Sequence, residues 1–137
     1  MNLTTNATIN LRLSFDDRGD IAVVAIITNT KIMQTMLIEN TWLTGLNHGW
    51  GNGYVVIPKG HPLFKMEYDE IDEEVNIRIH GGLTFSGPMK GHDWVIGFDT
   101  AHLGDTQEKW TKEAVQKETD FLLQQILDYT ASLLNLD

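Results

Sequence analysis

Between Ile79 and Asp105 the chain places three of its five histidines, three aspartates and six glycines. Histidine and aspartate coordinate metals, move protons and grip polar ligands, and glycine lets backbone come close to a bound group. Asp99, His102 and Asp105 recur at intervals of three. A helical turn would set them on one face, and a loop could bring them to one point. Imidazole with carboxylates suits a divalent cation such as zinc, manganese, iron or nickel without any cysteine. The competing reading is that Asp99 caps a turn after a strand while His102 and Asp105 bond to loop backbone.

His80, followed by Gly81 and Gly82, is the second candidate. A histidine at a strand end beside two glycines can face a pocket, and a glycine pair can turn backbone amides toward an anion. Its plainer alternative is a hydrogen-bonded histidine next to a β-bulge. Thr84 and Ser86 supply nearby hydroxyls, but no G-x-S-x-G elbow marks a nucleophile. His61, set between Gly60 and Pro62 after an apolar run, is expected to join the pocket, whereas His92 beside Asp93 reads as an exposed turn. Trp94 and Trp110 read as core.

Several elements must position these residues. Residues 8–15 alternate apolar and polar side chains and residues 21–28 form a β-branched run, which together read as a hairpin across Asp16-Asp17-Arg18-Gly19-Asp20. From Thr30 to Leu46 the apolar residues fall near helical spacing, with a strand over Thr35–Ile38 as the alternative. Asn47–Gly53 reads as a loop and Tyr54–Ile57 as a strand stopped by Pro58. Glu67–Glu74 carries six carboxylates and is expected to be exposed. Val75–His80 alternates like a strand, and Trp94–Phe98 reads as another. Thr111–Leu134 is the clearest helix, with Thr111 at the N-cap position. The expectation is one α+β domain over residues 1–137: a small, mostly antiparallel sheet packed against a long C-terminal helix.

The formal charge of −9, from 19 acidic and 10 basic residues, opposes direct binding to nucleic acid through phosphates. It favours a cation, a cationic ligand or a basic protein partner. With no cysteine, thiolate chemistry and disulfides are excluded. The longest apolar run, Ile21–Ile27, is too short to span a bilayer, and no secretory signal is visible, so a cytoplasmic protein is expected. P-loop, dinucleotide-binding, zincin and EF-hand motifs are missing from the sequence.

Four blocks in order carry a resemblance. They are Asn52-Gly-Tyr-Val-Val-Ile-Pro-Lys-Gly-His-Pro62, Tyr68-Asp69, His80-Gly-Gly-Leu-Thr-Phe-Ser86, and Trp94-Val-Ile-Gly-Phe-Asp-Thr-Ala-His-Leu-Gly-Asp105. With the helix start at Trp110–Thr119, the stretch from Asn52 to Gln125 resembles a family of small phage and prophage proteins. The resemblance implies an accessory role in infection, with counter-defence as its setting. It does not imply a mechanism. Its blocks fall on His61, His80, Gly81, Gly82, Thr84, Asp99, His102 and Asp105. Thr100 stands where several members of the family it resembles carry Cys, which argues against thiol chemistry here.

The favoured expectation is therefore a pocket for a small polar, nucleotide-like ligand, with its hydrolysis left open. His80, His102 and Asp99 would be the catalytic groups, His61, Gly81, Gly82 and Thr84 the ligand-binding ones, and Asp99, His102 and Asp105 the ligands of a divalent metal. The alternative is a non-catalytic acidic inhibitor that covers a basic groove of a host defence protein such as a CRISPR effector. A virion or assembly component is the plainest reading.

Overall fold

A computed structural model describes residues 33–41 and 47–133. The elements are β1 (Thr35–Glu39), β2 (Gly51–Val56), α1 (Tyr68–Val75), β3 (Phe85–Met89), β4 (His92–Phe98) and α2 (Lys112–Leu133). The strands form one antiparallel sheet in the order β1-β2-β4-β3. The α+β architecture with a long C-terminal helix is the expected one. The hairpin expected over residues 8–15 and 21–28 lies outside the described residues.

Period-two alternation divides the sheet into two faces. Val55, Ile57, Ile96 and Phe98 point into the main core with Val115, Leu122 and Ile126 of α2. Tyr54, Val56 and Val95 point the other way and pack with Met36, Ile38, Phe85 and Met89. Helix α2 lies close on β2 because the contact is small on both sides. A Cβ on Gly53 would overlap Thr119 Oγ1, which bonds back to Val115 O at 2.7 Å. Thr111 caps the helix, its Oγ1 accepting the Ala114 N–H at 3.1 Å. Two large apolar residues of α2, Phe121 and Leu133, face outward.

Three expectations need correction. The helix expected over Thr30–Leu46 gives way, over Thr35–Glu39, to a strand paired with β2 from Thr35↔Val55 to Glu39↔Gly51. Cross-strand packing outweighs weak helical spacing in so short an apolar run. The loop expected over Asn47–Gly53 ends early, since Gly51–Gly53 already belong to β2. A Cβ on Gly51 would overlap Ile38 O, so glycine here serves close strand approach.

The strand expected over Val75–His80 is not formed. Val75 closes α1, whose acidic run buries only Ile71, and Asn76 turns the chain out of the helix in the left-handed region at φ 61°. Residues 76–79 then cross α2 with no strand partner among the described residues. Instead the Gln125 side-chain amide pairs with both backbone groups of one residue. Arg78 N–H donates to Gln125 Oε1 at 2.8 Å, and Gln125 Nε2 donates to Arg78 O at 3.1 Å. The alternation survives as burial, with Ile77 inside and Asn76 and Arg78 outside.

Candidate functional site

Two loops meet beside the start of α2. The first, 99–105, is closed by its own ends. Asp99 Oδ1 accepts the Ala101 N–H at 3.1 Å, and Asp105 Oδ2 accepts the His102 N–H at 2.8 Å. Asp105 N–H donates to His102 O at 2.9 Å. Thr100, fully buried, ties this loop to the sheet by donating from Oγ1 to Gly51 O at 2.6 Å. The segment before β2 completes the support, with Gly49 N–H on Thr100 O at 2.6 Å and Trp50 N–H on Trp110 O at 2.7 Å. A Cβ at Gly49 would meet Thr100 and Trp110, so the close approach requires glycine.

The second loop carries His80. Its N–H donates to Glu118 Oε2 on α2 at 2.6 Å, and its ring lies 4.3 Å from the Trp110 ring with a 33° tilt. The His102 ring stands edge-on to it at 5.2 Å. Gly81 follows at φ 69°, and a Cβ there would meet the His102 ring, coming within 2.6 Å of Nε2. Gly81 thus makes room for His102. Gly82, at φ 77°, faces open space and is a turn residue, its N–H bonded to Ile79 O at 3.0 Å.

The side chains converge on Asp105. Its carboxylate, in a residue only 3 % exposed, has Oδ1 2.8 Å from His80 Nε2 and Oδ2 3.3 Å from His102 Nδ1. Asp99 Oδ1 is also 3.3 Å from His102 Nδ1. Burial by itself would raise the Asp105 pKa. The hydrogen bonds from His80 and the His102 N–H, together with the neighbouring imidazole charge, outweigh it and hold the carboxyl below its ordinary value. A buried anion is therefore fixed between two histidines whose side chains are 26 % and 34 % exposed, enough to be reached from solvent.

His80, His102 and Asp105 each offer one ligand atom, all within 4.8 Å of one another, and this group could hold a metal ion. Around a four-coordinate cation with bonds of about 2.0–2.1 Å, neighbouring donors stand about 3.3 Å apart. His102 Nδ1 stands 3.3 Å from Asp105 Oδ2, the length of such an edge, whereas His80 Nε2 bonds to the other oxygen, Oδ1, at 2.8 Å. A cation bound to a single Asp105 oxygen would therefore require the carboxylate or one imidazole to turn and the His80 hydrogen bond to give up its proton.

The other residues singled out in the sequence are placed as follows. Asp99 adjoins the group through His102. Thr84 is half-buried and its N–H bonds to Gly97 O at 2.9 Å, extending the pairing of β3 with β4. His61 sits elsewhere, buried against the end of α2. Its Nδ1 accepts the Leu63 N–H at 3.1 Å, so the ring proton is on Nε2, which donates to Thr130 Oγ1 at 2.9 Å. Thr130 in turn donates to Ile126 O at 2.8 Å. Both ring nitrogens serve the fold, and burial pushes the His61 pKa down to about 4.

Sequence reasoning missed three contributors: Trp110, which packs against the core as expected but also stacks on His80, and Glu118 and Gln125 on α2. A signal existed for the last two. They stand seven residues apart and so share one face of the helix. What they face lies about 40 residues away in sequence.

No family model, curated protein or solved structure matches this chain. Among the described residues no helix is long and apolar enough to cross a membrane.

Proposed function

We propose that the His80–Asp105–His102 cluster is a divalent-cation centre that binds a small polar, nucleotide-like ligand, within a phage-type accessory protein acting against host defence. One observation carries the reading: a carboxylate that is almost fully buried is shared by two accessible imidazoles brought from separate loops. A turn that only needed closing would be served by the Asp105–His102 backbone bonds alone. Asp99, beside His102, is the further carboxylate available to a cation or to orient that imidazole. A cation held here would polarise a ligand oxygen or acidify a bound water. The histidines would exchange protons with the ligand at the nitrogens left free. The overall charge of −9 favours the cation as well.

Titration of zinc or manganese into chelator-treated protein, followed by calorimetry, tests the centre. Binding of one cation per chain is expected, with His102→Ala and Asp105→Asn each lowering affinity by about 100-fold or more. Because the His102 side chain is one third exposed, His102→Ala should cost less than about 1 kcal/mol of stability. Absence of cation binding by the wild type, or wild-type affinity in both variants, would sink the reading.

The second reading, a non-catalytic inhibitor, draws on α1. Asp69, Glu70, Asp72, Glu73 and Glu74 are all exposed on its eight residues. Such a surface would cover a basic groove. Reversing three of these charges should abolish a salt-sensitive complex with the defence protein and leave cation binding intact.

A further inference from the structure

The segment that carries His80 has no strand partner among the described residues. From Asn76 to His80 it is held to α2 by side chains on one helix face: Gln125 through two bonds to Arg78, and Glu118 through one bond to the His80 N–H. The Glu118 bond, at 2.6 Å, is the shortest of the three. It is made at the residue whose imidazole reaches Asp105. The next two residues, Gly81 and Gly82, both have positive φ, and on that side the loop is held by a single turn bond from the Gly82 N–H to Ile79 O. The imidazole stacks on Trp110, but a stacked ring can slide, whereas a hydrogen bond to its backbone fixes where the side chain starts.

We propose that Glu118 is a positioning residue for the cation centre, with Gln125 as its auxiliary: together they present a segment of α2 as a substitute strand edge and set where His80 Nε2 stands relative to Asp105. This rests on the cation reading of the cluster. Glu118 touches no candidate ligand atom, so its effect passes through the His80 backbone. The required property is a hydrogen-bond acceptor at Oε2, and the negative charge is secondary. Groups that fix the donors of a metal site in this way ordinarily change its affinity by about 10- to 100-fold.

The test uses the full chain and cobalt(II), whose visible absorption reports coordination geometry. Glu118→Ala should weaken cobalt binding by about 10- to 100-fold and alter the shape of the absorption bands. Glu118→Gln, which keeps an acceptor oxygen at the same reach, should restore both. Gln125→Ala, whose bonds lie at the surface, should weaken binding less and serves as the reporter if Glu118→Ala does not fold. Wild-type affinity and spectrum in Glu118→Ala would overturn the proposal, even if its melting temperature fell. So would unchanged binding in Gln125→Ala if Glu118→Ala does not fold, or a Glu118→Gln variant as impaired as the alanine one. A wild-type protein that binds no cobalt overturns the cation reading itself and this proposal with it, an outcome distinct from wild-type binding that the variants leave unchanged.

Discussion

His61 and His80 each sit in a glycine-containing loop and contact α2 from opposite ends of that helix. His61 is packed under the C-terminal part, with Nδ1 taken by the Leu63 N–H and Nε2 by Thr130. Only 7 % of the residue is exposed, and no carboxylate is among its bonded partners. His80 lies at the N-terminal part, one quarter exposed, with Nε2 on a buried carboxylate and His102 beside it. Burial without a charge makes an imidazole a neutral bracket. A buried anion beside accessible imidazoles makes a place where protons or cations can be held. Residue type did not separate the two cases, because the difference lies in what surrounds each ring.

Breaking the bracket should have the largest effect on stability. His61→Ala leaves a cavity and an unpaired Leu63 N–H, and is expected to cost about 4 kcal/mol in denaturant unfolding. If it cost less than the His102→Ala change, the contrast between the two sites would be wrong.

The pH dependence sharpens the contrast. His61 has a folded pKa of about 4 against an ordinary value of 6.5, so the folded chain resists taking the proton. Its contribution is complete above pH 6.5 and is lost as pH falls from 6.5 to about 4, a total of about 3 kcal/mol. His61→Gln should remove that part of the stability–pH slope, and a slope unchanged in that variant would show that another group causes it.

The two neighbouring glycines give the smallest and most local comparison. Alanine at either position places a side chain at positive φ, for about 1 kcal/mol of strain. Only Gly81→Ala also pushes on the His102 ring, because the space at Gly82 is open. Cation affinity should therefore fall in Gly81→Ala and stay at the wild-type value in Gly82→Ala. Equal effects on binding would mean that His102 is not held where the geometry puts it.

The legible parts of the fold were those with long or strict periodicity. α2 was readable from its apolar stripe and from Thr111, and β4 from Trp94–Phe98 between a polar turn and Asp99. β1 was offered only as an alternative, since five residues are too few for periodicity to decide. The acidic run hid α1. Its apolar pair, Ile71 and Val75 at i, i+4, was present but outnumbered by carboxylates. Val75–His80 misled for the opposite reason. Alternation was real and its burial followed, but a strand also needs a backbone partner, and here a glutamine side chain takes that place.

The sequence by itself determined the α+β arrangement, the helix that closes it and the 99–105 loop as a cluster of ligand-type side chains. These depend on contacts between residues close in the chain or on patterns repeated along it. Only the tertiary structure decided that His80 joins Asp105 across 25 residues, that His61 is instead consumed by Leu63 and Thr130, and that Gly81 yields its space to His102. It also decided that Glu118 reaches back 38 residues to the His80 backbone. Such contacts are set by how loops dock on the sheet and on α2, and no local propensity encodes that docking.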